Sequence, residues 1–204
     1  MKPVNHNWIA GDIVGGNSAL NLVNTVSGWG YDPEDWVPDI ESFLAWARLS
    51  GLLDKGEKKQ AARLAEGSLA AAERVLASLK ELRFALWSLM TSLQQRKPAK
   101  PGDLSVINEW IRRLALAEQV VVERNKIEVA IKRDISVLEL VGLRVTAAAL
   151  ALLKNPPAGR IKTCPGENCG WKFVDRSKNR SRRWCDMAVC GNLVKAREYR
   201  ARKG

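Results

Sequence analysis

Apolar residues recur along most of this 204-residue chain at spacings of three and four, which is the period of an amphipathic helix. The spacing predicts a helix over residues 39–51, with Asp39 as its N-cap and Gly51 at its end. Residues 57–97 are predicted to be helical throughout, and Asp103 is expected to cap a further helix that reaches about residue 116. The pattern therefore predicts a domain built mainly of helices.

Within residues 57–97 we expect a break near Gly67 and Ser68, followed by a helix with a seam seven residues in period. The seam consists of Val75, Leu79, Leu82, Leu86, Leu89 and Leu93. Such a seam can pair with another chain and form a homodimer. It is more often the inward face of a helix in a monomeric bundle, which is the interpretation we favour.

Two later stretches complete this domain. The alternation over residues 119–131, around a turn at Asn125 and Lys126, predicts a short β-hairpin. Asp134 is expected to cap a helix that runs to Lys154 and is apolar nearly all round. A helix of that kind belongs at the centre of the core.

The stretch at residues 13–26 is ambiguous. The spacing of Leu20, Val23 and Asn24 allows a helix, whereas the β-branched residues at its end allow a strand. Periodicity alone does not decide between them.

Asn155-Pro156-Pro157 is expected to end the last helix and to begin a linker. It divides the chain into a larger domain, residues 1–155, and a smaller one, residues 156–204. The net charge of +11 is uneven, because residues 159–204 hold thirteen Lys and Arg against four Asp and Glu. A basic excess confined to one small domain is typical of a surface that binds nucleic-acid phosphates, and a merely solvated basic tail is the alternative.

All four cysteines lie in the smaller domain as two pairs, Cys164 with Cys169 and Cys185 with Cys190. Four thiolates on two short loops suit the tetrahedral preference of Zn²⁺, and no position is left open for water, so we predict one structural zinc ion. Two disulfides are the alternative. Residues 1–10 lack the apolar stretch of a secretion signal, so we expect a cytoplasmic protein with reduced cysteines.

The elements of the smaller domain are typical of a treble clef. The first cysteine pair forms a knuckle, residues 171–175 and 182–184 are predicted to pair as a hairpin, and the second cysteine pair opens a helix over residues 191–202. The predicted fold class is therefore α+β. It combines a mainly helical N-terminal domain with a short β-hairpin and a C-terminal treble-clef zinc finger.

The run Arg182-Arg183-Trp184-Cys185-Asp186-Met187-Ala188-Val189-Cys190-Gly191-Asn192 resembles the CGNR zinc finger. Cys169-Gly170-Trp171 and residues 175–179 match this finger as well. The arginine for which the family is named is Leu193 here. This departure leaves the metal ligands intact, but a contact made by that arginine does not carry over.

Residues 20–26 resemble the opening of the ABATE domain, which usually accompanies the CGNR finger. Asn21 replaces the family's acidic residue and Leu22 its phenylalanine. The tryptophan-bearing helix that ends in Gly51-Leu52 matches this domain too. Together the two resemblances imply a bacterial transcriptional regulator linked to stress. Its finger would bind DNA, and its N-terminal domain would sense a ligand or mediate oligomerisation.

The candidate nucleic-acid contacts are cations of the finger and one tyrosine on its last helix. They are Arg176, Lys178, Arg180, Arg182, Arg183, Lys195, Arg197, Tyr199, Arg200 and Arg202. We expect the loop cations to bind phosphates and Arg197 to contact a base. The alternative for Arg182 and Arg183 is local pairing with Asp175 or Asp186.

A small-molecule pocket in the N-terminal domain is predicted at Asn24, Thr25 and Trp46. The alternative for the two polar residues is that they are buried and fix a loop by hydrogen bonding.

The sequence contains little that supports catalysis. His6 is the only histidine, and no nucleophile–base set or phosphate-cradling glycine loop is visible. We therefore expect no enzyme. An RNA-binding or ribosome-associated protein and a zinc-stapled protein-interaction module remain as alternatives to a DNA-binding regulator. No membrane partner is expected, because no apolar run reaches the roughly eighteen residues that a span requires.

Overall fold

The computed structural model describes residues 1–123, 125–154 and 159–203. The described helices are α1 (Ser18–Val23), α2 (Ile40–Leu49), α3 (Lys55–Gly67), α4 (Leu69–Gln94), α5 (Pro101–Ala117), α6 (Val137–Lys154) and α7 (Asn192–Ala201). The strands are β1 (Lys2–Pro3), β2 (Val26–Ser27), β3 (Glu34–Asp35), β4 (Glu118–Glu123), β5 (Lys126–Ile131), β6 (Ile161–Thr163) and β7 (Lys172–Val174). The predicted linker Asn155-Pro156-Pro157 lies outside the described residues.

The strands form three small sheets beside the helices. In the first, β3 lies between β1, which is parallel to it, and β2, which is antiparallel. The second is the β4–β5 hairpin, and the third is the antiparallel pair β6–β7. A mainly helical α+β fold is thus confirmed, whereas the treble-clef assignment of the C-terminal module stays a prediction.

Helix α4 is central to the core of the N-terminal domain. The seam residues Leu79, Leu82, Leu86 and Leu89 are buried in one apolar cluster with residues of α2, α5 and α6. Val75 packs at the edge of the same cluster, and Leu93 is exposed. The seam is therefore the inward face of a bundle helix, as favoured above.

Helix α6 packs against α5 through a close approach at Gly142. A Cβ atom on this glycine would lie 2.2 Å from two ring atoms of Trp110, so no larger residue fits unless the ring moves. Trp110 is itself buried, as are residues on several sides of α6 such as Val137, Val141 and Val145. The predicted central position of this helix is confirmed.

Capping by Asp39 is confirmed, because its Oδ1 accepts the N–H of Ser42 at 2.8 Å. The ambiguous stretch near residue 20 contains the short helix α1, whose first turn is capped by the side chain of Asn17, and then strand β2. The expected break near Gly67 separates α3 from α4.

Two predicted helix starts are wrong. Helix α5 begins at Pro101, whose missing N–H is not needed in the first turn, so Asp103 lies inside that turn instead of capping it. Helix α6 begins at Val137, three residues after the predicted cap Asp134. The chain before it is bound to the end of α5, where Lys132 N–H donates to Ala117 O at 2.8 Å.

Across the described ranges, no helix has both the length and the apolar character needed to cross a membrane.

Candidate metal centre and nucleic-acid interface

The four cysteine side chains converge in one buried cluster. Their sulfur atoms all lie within 4.8 Å of one another, and Cys185 Sγ is 3.6 Å from the sulfurs of both Cys169 and Cys190. Four sulfurs placed tetrahedrally at about 2.3 Å from Zn²⁺ are about 3.8 Å apart. The cluster therefore has the ligand type, number and spacing of a closed structural zinc site.

The thiols influence one another's protonation in this cluster. Thiol hydrogen bonds, first from Cys169 and then from Cys185, hold the pKa of Cys164 well below its usual range. Interaction with Cys164 raises the pKa of Cys169 and Cys185, and burial raises the pKa of Cys190. Four thiolates cannot share this space without a cation, so binding of a divalent metal would release the remaining thiol protons.

The backbone around the cluster fixes the two ligand loops. Cys164 N–H donates to Trp171 O at 2.7 Å, and Cys169 N–H donates to Gly166 O at 3.1 Å. On the second loop, Asp186 Oδ1 accepts Val189 N–H at 3.0 Å and caps the helical turn Met187–Gly191, which continues into α7. The predicted helix after the second cysteine pair is confirmed.

The predicted hairpin between residues 171–175 and 182–184 is wrong. Strand β7 pairs instead with β6, with Lys162 opposite Phe173, and residues 182–184 are not a strand. The reason is that Arg182 N–H donates to the carboxylate of Asp175 at 3.1 Å and is not part of a β-ladder.

Buried Asp175 organises the loop that follows β7. Its carboxylate accepts Ser177 N–H at 2.9 Å, Ser177 Oγ–H at 2.6 Å and Lys162 Nζ at 2.6 Å. Lys162 Nζ also donates to the carbonyls of Arg180 and Arg182, at 2.6 and 2.9 Å. Burial alone would raise the pKa of Asp175, but the hydrogen bonds from Lys162 and Ser177 outweigh it and hold this pKa well below its usual range. The loop backbone is thus held from inside by an ion pair.

Arg182 serves this framework instead of facing solvent. Its guanidinium lies over the ring of Phe173, 4.3 Å from the centroid, and donates to the carbonyls of Cys185 and, at 3.1 Å, Val14. Its Nε donates to Trp184 O at 3.0 Å. The guanidinium of Arg182 does not follow the alternative of local pairing with Asp175 or Asp186, because it donates to backbone carbonyls. Arg176 is exposed but also donates to the N-terminal domain, at Gly16 O, 2.7 Å away.

Lys178, Arg180 and Arg183 are exposed, and no carboxylate in the described residues pairs with them. The guanidinium of Arg183 lies 5.3 Å from the ring centroid of Trp184. Trp184 in turn reaches Gly191, so Arg183 is placed near the start of α7. The loop and the last helix therefore meet at this point.

Helix α7 has no buried side chain, and Val194 is its one half-buried residue. Lys195, Arg200 and Arg202 have no carboxylate partner among the described residues, and Tyr199 has Lys203 Nζ 4.8 Å from its ring centroid. Arg197, the predicted base contact, forms an ion pair with Glu167 of the first cysteine loop. Leu193, at the position of the family arginine, lines a small cavity with both members of that pair.

Asn24 joins the two modules of the chain. Its Nδ2 donates to Lys172 O at 2.9 Å, and its Oδ1 accepts Lys172 N–H at 2.8 Å. One buried side chain thus satisfies both backbone groups of a β7 residue from a position 148 residues away.

The neighbouring contacts extend this junction. Trp171 Nε1 donates to Val26 O at 2.9 Å, Gly28 N–H donates to Cys169 O at 2.9 Å, and Val174 N–H donates to Gly15 O at 2.9 Å. Gly170 has a φ of 66°, and a Cβ there would lie 2.5 Å from Trp29 O, so both conformation and space require glycine. The metal module is packed on the N-terminal domain, not merely tethered to it.

Thr25 and Trp46 are fully buried, like Asn24. Thr25 Oγ1 donates to Leu22 O at 2.8 Å and accepts from Arg83 Nη1 at 2.9 Å. The polar atoms of Asn24 and Thr25 are thus committed to protein partners, in line with the alternative that buried polar residues fix a loop. A ligand pocket at these residues stays a prediction.

Sequence analysis missed Lys162, which holds the loop after β7, and two residues of the junction, Gln94 and Lys172. Lys172 Nζ is buried and donates to Gln94 Oε1 at 2.8 Å and Thr163 Oγ1 at 3.2 Å, and Gln94 Nε2 donates to Ile161 O at 3.0 Å. Burial lowers the pKa of Lys172 to about 8. The apolar pattern around position 172 was the only available signal for a buried lysine.

Two family comparisons account for nearly all of the chain. Residues 160–203 match the CGNR zinc finger. Residues 16–156 match ABATE, whose description is "Putative stress-induced transcription regulator". No curated protein matches the chain. With the clustered sulfurs of Cys164, Cys169, Cys185 and Cys190, the CGNR match gives one structural zinc ion, as predicted. Because the ABATE match covers well over half of its length, the chain belongs to the ABATE family of regulators, with a CGNR zinc finger at its C-terminal end.

Proposed function

We propose that the protein is a DNA-binding transcriptional regulator, not an enzyme, and that its finger binds the phosphate backbone. The observation that carries this proposal is the loop of residues 175–183. Its backbone is fixed by buried Asp175 and Lys162, while Lys178, Arg180 and Arg183 project from it without carboxylate partners in the described residues. Because the loop backbone is already ordered, these cations lose only side-chain entropy when they bind a phosphate.

Helix α7 extends the same cationic surface. Lys195, Arg200 and Arg202 add three exposed charges along this helix, whose start lies near Arg183. Arg197 is held by Glu167, but both side chains are more than half exposed, and such pairs contribute little to stability. A DNA phosphate or a guanine edge therefore competes with Glu167 for this guanidinium.

Arg176 and Arg182 have a different role in the proposal. Both donate to carbonyls of residues 14–16, so they hold the loop against the N-terminal domain. Through the same junction, a change in the position of α1 and β2 reaches β7. We propose that a signal received by the N-terminal domain acts on DNA binding by this route.

The test is duplex binding followed by fluorescence anisotropy over a range of salt concentrations. The wild-type protein should lose affinity steeply as salt rises. Lys178→Ala should weaken binding to all sequences alike and reduce the salt slope by about one. Lys59→Ala is the matched control, since Lys59 is exposed on α3, far along the chain from the finger.

An affinity that does not change with salt concentration would show that this loop does not bind phosphates. Equal effects of Lys178→Ala and Lys59→Ala on the duplex affinity would show the same. An RNA hairpin that displaces the duplex at lower concentration would favour the RNA-binding alternative.

A further inference from the structure

The β4–β5 hairpin presents an uncovered apolar face. Val120 lies opposite Val129, and Val122 lies opposite Ile127, so the four side chains form two cross-strand pairs on one face. Their exposed fractions are 69% for both Val120 and Val122, 66% for Val129 and 78% for Ile127. These are among the most exposed apolar side chains of the described residues.

Most of the described charges of the hairpin lie on its other face. Because side chains alternate along a strand, Glu123, Lys126 and Glu128 lie on the face opposite the four apolar residues. The carboxylate of Glu123 forms an ion pair with the guanidinium of Arg133, 3.3 Å away. Among the described residues, the apolar face carries a single charge, Glu118, at the base of the hairpin. A nucleic acid is a poor partner for this part of the hairpin, since the described residues of the apolar face offer no cation to a phosphate.

An isolated two-stranded hairpin is at best marginally stable in water. The hairpin is bound to the body at its base, where Lys132 donates to the carbonyls of Ala117 and Leu116, at 2.8 and 2.7 Å. A partner that covers the apolar face supplies the burial that the hairpin otherwise lacks.

The exposed area matches what a dimer needs. A Val or Ile side chain presents on the order of 100 Å² of apolar surface, so the four present about 400 Å². A patch of that size marks an interaction site. Two such faces packed together bury about 800 Å², the size of a weak and reversible interface, since such interfaces bury less than roughly 1,200 Å².

We propose that this face is the contact between two copies of the chain, related by a two-fold axis. The face is self-complementary, because β-branched side chains meet β-branched side chains, and its one charge among the described residues, Glu118, lies at the base of the hairpin. The dimer does not require DNA. If the finger does bind DNA, however, the dimer presents two fingers, and the target consists of two half-sites with a fixed spacing.

The test is the mass of the zinc-loaded full chain, measured by light scattering and sedimentation from about 1 to about 100 µM. The wild-type protein should reach the mass of two chains within this range. Val129→Lys should stay at the mass of one chain, because it buries a charge in the interface. Gln119→Lys is the matched control, since it adds the same charge to the opposite face of the hairpin and should leave the dimer intact.

Circular dichroism and thermal melting should show that both variants fold, because Val129 and Gln119 are exposed and a lysine fits at either position. A wild-type protein that stays at the mass of one chain throughout overturns the proposal. A dimer that survives Val129→Lys also overturns it, because the two copies then meet elsewhere.

Discussion

Lys172 is buried, which is an uncommon environment for a lysine. Its ammonium group is buried at the junction, and its hydrogen-bond partners among the described residues are the neutral oxygens of Gln94 and Thr163. Burial therefore lowers its pKa to about 8, against an unfolded value near 10.5. Between these values the unfolded chain binds a proton that the folded chain does not, so the free energy of unfolding rises with pH.

The first prediction is that removal of this amine removes that pH dependence. Lys172→Met should be as stable as the wild type or more stable at pH 7, because the variant buries an apolar side chain in place of the ammonium group. The wild type should then gain roughly 2–3 kcal/mol relative to the variant between pH 7 and pH 10. Urea denaturation of the zinc-loaded proteins measures the difference. A difference that stays constant with pH would show that Lys172 does not titrate in this range.

At the scale of single residues, the role of the cysteines as metal ligands could be predicted from the sequence. The hydrogen-bonding roles of most other residues could not. The spacing of Cys164, Cys169, Cys185 and Cys190 reports chelation directly, because the four ligands come from two local loops. Arg182 was read as a surface cation, yet it donates to Val14 O, 168 residues away. Every residue has a backbone carbonyl, so the sequence around Arg182 does not show that its side chain donates to one.

At the scale of elements, long periodic helices were predicted well and short strands were not. The seam of α4 extends over several turns and specifies its buried face. Strand β6, by contrast, has three residues next to the predicted linker, and its pairing with β7 depends on register across the metal site. The hairpin between residues 171–175 and 182–184 was predicted because segments close in sequence often pair. In the structure, Arg182 N–H instead donates to the carboxylate of Asp175.

The junction between α1 and β7 gives a prediction at the same scale. Asn24→Ala leaves the N–H and carbonyl of Lys172 buried without partners, and each such group costs about 1–3 kcal/mol. We expect the variant to lose about 3 kcal/mol of unfolding free energy in urea. Asn5→Ala, at an exposed position, is the control and should have little effect. Equal stability of the two variants would contradict the assigned role of Asn24.

For the whole molecule, the metal site and the N-terminal core form one connected structure. The ligand loop carries Gly170 and Trp171, which contact Trp29 and Val26 of the larger module, and Cys169 O accepts Gly28 N–H. Metal binding therefore orders more than its own ligands. It also positions the loop cations relative to the N-terminal domain.

The most direct test of this account is DNA binding by the full chain before and after removal of zinc with a chelator. Anisotropy of a labelled duplex should show salt-dependent binding by the zinc-loaded protein and loss of that binding in the metal-free protein. Binding should return as zinc is added and reach its full value at one zinc ion per chain. Metal-free protein that binds the same duplex with unchanged affinity and salt dependence would contradict the account.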